Sequence, residues 1–296
     1  MRISNEAIFN TFVKYDKVRQ KEIARHTDEI SSGKRILSPS DDFAAMAKSL
    51  KFKEVNKEID NYLTNISSVK SYQTAAETAM TNIADAGTEA RAEIVRLLNT
   101  GVLDQEDAEI VNEYLQGLKE YMVDQANTKV ADTYVFGGTK SDTPPFTSQN
   151  NGVAYNGNDV EQKVPVSKNF EATTTFDGSK RLGLQEMTEA IDAIKDAINA
   201  GDLTQITDAL LEQFDKGYNK LLQNRSFIGA EGSVVDQFKQ QHDTYKTVYN
   251  DFISNLEDAD IAEAIAGLER SKVAYEASMA VFTQNKDLNL LKYLAA

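Results

Sequence analysis

Few side chains in this sequence could do chemistry, and their spacing does not gather them. His26 and His242 are its two histidines, set in unrelated helical contexts, so solvation or packing is expected rather than a two-histidine metal site. Cysteine is absent, which excludes disulfides, thiolate metal sites and cysteine nucleophiles together. The carboxylates Asp41/Asp42 and Glu257, Asp258 and Asp260 could ligate an ion or form an acid/base pair. They lack the Asp-x-Asp-x-Asp-Gly loop and terminal bidentate Glu of a calcium site and read instead as N-caps or turn residues. Gly137-Gly138-Thr139-Lys140-Ser141 echoes a phosphate loop without its Gly-x4-Gly-Lys-Ser/Thr spacing and reads as a hairpin entry. No Gly-x-Ser-x-Gly elbow is present. No catalytic residue, cofactor-binding residue, cofactor or metal is therefore expected, and no enzyme.

Composition narrows the class further. Over 296 residues the chain is 41% hydrophobic and 26% charged, which is globular rather than disordered. No apolar run reaches the roughly 18 residues of a membrane span, and the start lacks the apolar core of a cleavable signal, so a soluble chain with no cleavable leader is expected. The net charge of −14 disfavours nucleic acid, which demands clustered Lys and Arg. Balanced charge on the terminal helices likewise disfavours a membrane surface. The charge is unevenly spread: residues 1–43 and 272–296 each carry +1 and residues 44–271 carry −16. Near-neutral ends on an acidic body suit an assembly that joins through its termini.

The elements are read from hydrophobic periodicity. From Phe52, every seventh residue (Ile59, Ile66, Gln73, Met80, Gly87, Ile94) and the series offset by three (Val55, Tyr62, Val69, Ala76, Ile83, Ala90, Leu97) form a coiled-coil seam in which only Gln73 and Gly87 are not apolar. The spacing predicts a helix of about 70 Å, with a kink near Gly87. Asp104 should cap a second, antiparallel helix carrying Val111, Leu115, Leu118, Met122 and Ala126. Residues 136–182 are rich in Thr, Asn and Gly, with strand-like runs Lys163–Val166 and Ala172–Phe176. Asn151-Gly152, Asn156-Gly157 and Asp177-Gly178 are hairpin signals among them. Helical periodicity resumes with Leu184, Met187, Ile191, Ile194 and Ile198 and runs to Leu222. After a break at Gly229/Gly232 it restarts, and the five-residue interval from Leu256 to Ile261 interrupts it again. The last helix has the seam Ile261, Leu268, Tyr275, Phe282. The fold class expected is mainly α: an elongated coiled-coil or helical-bundle rod with both termini side by side and a small inserted β-rich domain.

The segment SSGKRILSPSDD, residues 31–42, looks like one helix ending at a left-handed Gly33 and another starting with Ser38 as N-cap, Pro39 at N1 and Asp41 at N3. The helix before it carries Ile8, Phe9, Phe12, Val13 and Val18, then only Ile23 and Ile30 among many charges. So sparse a stripe cannot hold a helix firmly to its own domain. Something outside the monomer must complete it.

RISNEAIFN at 2–10, SSGKRILSPSDD, LEDAD at 256–260 and the ending LNLLKYL resemble the terminal blocks of the flagellin family, in the same order and at the same distances from the ends. The resemblance covers about 100 N-terminal and 70 C-terminal residues. Phe43, where the family usually has proline, and Lys292, commonly acidic there, depart from it. YVFGGTKSDTPPF at 134–146 and the Tyr-Leu ending look like the hook-associated branch that joins hook to filament. The resemblance implies a structural subunit of the bacterial flagellum, exported unfolded through the flagellar type III apparatus after being held by a chaperone. It implies copies of itself in a ring or helical layer as partners, with hook-associated protein 1 on the hook side and flagellin on the filament side. Residues 1–43 and 272–296 would be disordered in the monomer and form the inner tube wall, 44–135 and 183–271 the helical rod, and 136–182 an outward β-rich insertion. Coupled folding and association of the terminal helices would then use Ile8, Phe12, Ile30, Ile265, Met279, Phe282, Leu291 and Leu294 as intersubunit packing residues. The alternatives are a filament flagellin, or a secreted adhesin or enzyme using the β insertion.

Overall fold

The computed structural model of the chain describes residues 2–100 and 104–287. Its helices are α1 (Arg2–Ser32), α2 (Phe43–Leu98), α3 (Gln105–Ala126), α4 (Gly178–Arg181), α5 (Leu184–Asn199), α6 (Asp208–Glu257) and α7 (Ile261–Asp287). Its strands are β1 (Lys129–Val130), β2 (Thr133–Tyr134), β3 (Phe146–Ser148), β4 (Val153–Tyr155), β5 (Gln162–Ser167) and β6 (Phe170–Thr175). The mainly α expectation with a small β region holds. The chain forms two compact units, one of residues 1–58 with 245–296 and one of residues 59–244, so that α2 and α6 each pass from one unit to the other.

In the unit of residues 59–244 the heptad seam of α2 does what its spacing requires: Ile66, Val69, Ala76, Met80, Ile83, Ala90, Ile94 and Leu97 are buried. From Ala76 to Leu97 they meet Val111, Leu115 and Met122 of α3, Met187, Ile191 and Ile194 of α5 and Phe214 and Leu221 of α6 in one core, while Ile66 and Val69 pack with Val235 of α6 in a second cluster. The α3 cap forms as expected, with the Asp104 side chain accepting the Asp107 N–H at 2.8 Å. The kink expected at Gly87 gives way to a continuous α2. A Cβ there would lie 2.9 Å from Tyr218 Cδ2, so the glycine serves close approach of α6. The break expected at Gly229/Gly232 is also absent, because α6 runs unbroken through both. Two glycines cost a helix interior about 1 kcal/mol each, which packing along a 50-residue helix outweighs.

The β region consists of three antiparallel two-stranded ladders, β1–β2, β3–β4 and β5–β6. The runs expected at 163–166 and 172–176 fall within or against β5 and β6. Of the three hairpin dipeptides only Asn151-Gly152 turns a hairpin, between β3 and β4, with Gly152 at φ +83. Asn156-Gly157 follows β4. Asp177-Gly178 opens α4, because the Asp177 carboxylate accepts the Ser179 and Lys180 N–H groups as an N-cap. Two-stranded ribbons are marginal alone, and here Phe136, Phe146, Val153 and Phe176 join the helical core. A buried ion pair ties the β3–β4 hairpin down. Lys119 Nζ of α3 lies 2.5 Å from Asp192 of α5 and donates to the Gln149 carbonyl, while the Gly152 N–H donates to the same carboxylate at 2.6 Å.

Candidate functional site

The unit of residues 1–58 with 245–296 is assembled at the loop 33–42. Gly33 ends α1 at φ +70, with its N–H donating to the Glu29 carbonyl at 2.9 Å. The start of the next helix differs from expectation. Ser38 is not the N-cap: residues 38–41 form a turn in which Asp41 N–H donates to the Ser38 carbonyl at 3.0 Å. The Asp41 carboxylate reaches back to the Leu37 and Ser38 N–H groups, at 3.0 and 2.7 Å. These bonds hold the Asp41 carboxyl below its ordinary range. The cap is Asp42, whose carboxylate accepts the Ala45 N–H at 2.9 Å. Either acidic residue suits a cap; the turn's own backbone bond moves the helix start to Phe43.

The turn between α6 and α7 is the counterpart of that loop. Asp260 caps α7, accepting the Ala262 and Glu263 N–H groups, so the interruption read from the Leu256–Ile261 interval is real. The two breaks pair: Arg35 N–H donates to the Glu257 carbonyl at 2.7 Å, Ala259 N–H to the Gly33 carbonyl at 2.9 Å, and Arg35 Nη2 to the Leu256 carbonyl at 3.0 Å. SSGKRI and LEDAD are thus two strands of a single latch. Its centre is the Glu257 carboxylate, only 3% exposed, with Lys34 Nζ at 2.5 Å and Lys53 Nζ and Ser49 Oγ on the other oxygen. Burial alone would raise this carboxyl, but hydrogen bonds from Lys34, Lys53 and Ser49 outweigh it and hold it down at about 2. Reading Glu257 as a cap or turn residue missed this role. The only trace in the sequence was opposite charge in two blocks 223 residues apart.

Beyond the latch α1 runs antiparallel to α7. Phe12 stacks on Phe282 with centroids 4.2 Å apart and Phe9 lies 6.2 Å from the same ring. At the latch end a Cβ on Gly267 would lie 2.7 Å from the His26 ring, and His26 Nδ1 is 2.9 Å from Glu29. Of the eight residues singled out from the sequence, Phe12 and Phe282 therefore meet each other within the chain. Ile30 is half-buried, and Ile265 and Met279 remain exposed. Leu291, Leu294 and the Ile8 side chain lie outside the described residues. Between α1 and α7 runs a groove of about 600 Å³ lined by Thr11, Phe12, Tyr15, Ala274, Val281 and Phe282. Phe43 is 77% and Val273 63% exposed, and Tyr15, Val18, Leu50 and Val281 are exposed as well. So much unpartnered apolar surface on paired helices is what a helix-to-helix docking surface requires.

Among the described residues no three His, Cys, Asp or Glu side chains group as a metal site, and no helix is long and apolar enough to cross a membrane. His242, buried in the unit of residues 59–244, lies 2.8 Å from the Val166 carbonyl through Nε2 and against the Tyr62 ring, a packing role.

Residues 3–141 match the model of the bacterial flagellin N-terminal helical region, and residues 211–294 that of the C-terminal helical region. Flagellar hook-associated protein 3 of Escherichia coli (strain K12) is 22% identical over 315 residues, covering 99% of both chains. Among solved structures, a putative flagellar hook-associated protein from Vibrio parahaemolyticus superposes with a TM-score of 0.67 at 21% identity, covering 74% of this chain and all of that one. The flagellar junction protein FlgL from Legionella pneumophila does so at 0.58 and 14% identity, over 71% of this chain and 100% of its own. At these identities the structures establish a shared fold.

Proposed function

We propose, from the premise that this chain belongs to the bacterial flagellin family, that it is a structural subunit of the flagellum acting as the adaptor between hook and filament. The observation that carries this reading is the end-to-end correspondence with hook-associated protein 3. The geometry supports it with paired terminal helices that leave large apolar side chains uncovered. The role is mechanical and involves no catalysis.

In this reading residues 1–43 and 272–296 form the inner wall of a tube, 44–135 and 183–271 a helical rod, and 136–182 an outward β region. The ends gain their full order only against neighbours, since ordering entropy must be offset by apolar contacts that one chain supplies sparsely. Ile8, Phe12, Ile30, Ile265, Met279, Phe282, Leu291 and Leu294 supply those contacts. The neighbours are other copies of the chain, hook-associated protein 1 toward the hook and flagellin toward the filament. Export through the type III apparatus, with a chaperone holding the chain beforehand, belongs to the same reading.

Cells lacking the chain should carry hooks without filaments and lose flagellin to the medium; normal filaments would overturn the proposal. The purified chain should not polymerise alone into long filaments, whereas a filament flagellin would. Phe282→Asp should abolish incorporation while leaving the melting of the unit of residues 59–244 unchanged; incorporation at the wild-type level would remove Phe282 from the docking set.

A further inference from the structure

Gln73 occupies a seam position of α2 and is 96% buried, yet neither its amide oxygen nor its amide nitrogen has a hydrogen-bonding partner. An unpaired buried polar atom is costly, and native structures keep few of them. Opposite it on α6 stand Gly229 and Gly232. A Cβ added at Gly232 would sit 3.4 Å from Gln73 Oε1, and one at Gly229 3.4 Å from Glu77 Oε1. Both are ordinary contact distances, so alanine would fit, and alanine is the better helix former. Nothing within the closed structure requires either glycine. The space they leave is a notch of about 400 Å³ between α2 and α6, bordered by Lys70, Thr74, Ser233 and Asp236.

The apolar core is divided at this same level. Ile66 and Val69 of α2 pack with Val235 of α6 in one cluster, while Ala76, Met80, Phe214, Leu221 and Ile228 belong to another. Gln73, Gly229 and Gly232 fall between them. The bridge across the gap is the Lys70–Asp236 ion pair, whose side chains are 43% and 47% exposed, and an exposed pair of this kind holds weakly.

Unpaired amide, steric vacancy and interrupted core coincide at one level of the seam. We propose that the Gln73/Gly229/Gly232 notch is a joint, a point at which α2 and α6 separate locally and water enters to hydrogen-bond the Gln73 amide, so that the apolar blocks on either side flex about it as separate bodies. The closed seam loses the amide's hydrogen bonds and the open seam loses few apolar contacts, which narrows the free-energy gap between the two states. Sharp bends in long helices occur at Gly/Ser pairs and where water enters the backbone ladder, and α6 carries Gly232 followed by Ser233 at the notch. The inference does not depend on the flagellar reading.

Native-state amide exchange on the full chain tests it. Amides at 70–77 and 229–236 should exchange on the order of tenfold or more faster than those at 80–97 and 214–228, the factor set by the penalty of one unpaired amide group. Gln73→Leu should slow that exchange and raise Tm. Gly232→Ala, whose methyl group fills the notch without touching the seam residues above and below, should do the same if leucine packs poorly. Protection at the notch equal to that of the flanks, or no slowing in either variant, would overturn the proposal.

Discussion

Replacing Glu257 with Gln keeps the side chain's shape and one hydrogen-bond acceptor but removes the charge that Lys34 and Lys53 surround. Holding the carboxyl at about 2 rather than its ordinary 4.5 is worth up to about 3 kcal/mol at neutral pH. The lysine side chains are 45% and 42% exposed, and solvent screening lowers the expectation to about 2 kcal/mol. The sign follows from the direction of the shift. A carboxyl depressed in the folded state contributes its full stabilisation above the unfolded value of 4.5, and that contribution is lost as pH falls toward 2. Wild type and Glu257→Gln should therefore differ by about 2 kcal/mol at pH 7 and converge near pH 2. The direct readout is the exchange of the Arg35 and Ala259 amides, which bond across the latch to Glu257 and Gly33, measured as a variant-to-wild-type ratio at each pH. Scanning calorimetry of the full chain reports the same loss globally. A ratio that stays constant from pH 7 to pH 2 would refute the argument, since the stabilisation would then not come from ionisation of Glu257.

Asp42→Ala should cost about 1 kcal/mol through the lost α2 cap, whereas Ser38→Ala should change stability by no more than a few tenths; urea unfolding of the two variants separates the assignments. Lys119→Met should cost about 3 kcal/mol or more, because it strands the Asp192 carboxylate in the core. Adding Asp192→Asn to that variant should recover part of the loss in thermal melts.

The helices were legible because burial on one face leaves a period in the sequence. The seam from Phe52 to Leu97, the stripe from Val111 to Ala126 and the run from Leu184 to Ile198 each lie where that period placed them. The Gly33 stop, the Asp104 cap and the Asn151-Gly152 turn were legible because each depends on a few adjacent residues. Glycine elsewhere misled. Gly87, Gly229 and Gly232 read as breaks when judged by backbone freedom, but α2 and α6 run straight through them; at Gly87 only the neighbouring Tyr218 tells why the Cβ is missing, whereas Gly229 and Gly232 have room for one. Asp177-Gly178 misled in the same way, since an Asp-Gly pair serves a hairpin turn and an N-cap equally well until the following segment is seen to coil.

The sequence by itself determined that the chain is mainly helical, that its ends are neutral and thinly apolar, and that its terminal blocks are those of a flagellin-type chain, for local spacing and composition carry all three. Only the tertiary structure decided that SSGKRI closes against LEDAD through one buried carboxylate, that Phe12 meets Phe282, and that Lys119 and Asp192 hold the β3–β4 hairpin. Those contacts join residues far apart along the chain, and no periodicity or local rule encodes which distant charge or ring a side chain will find once the helices pack.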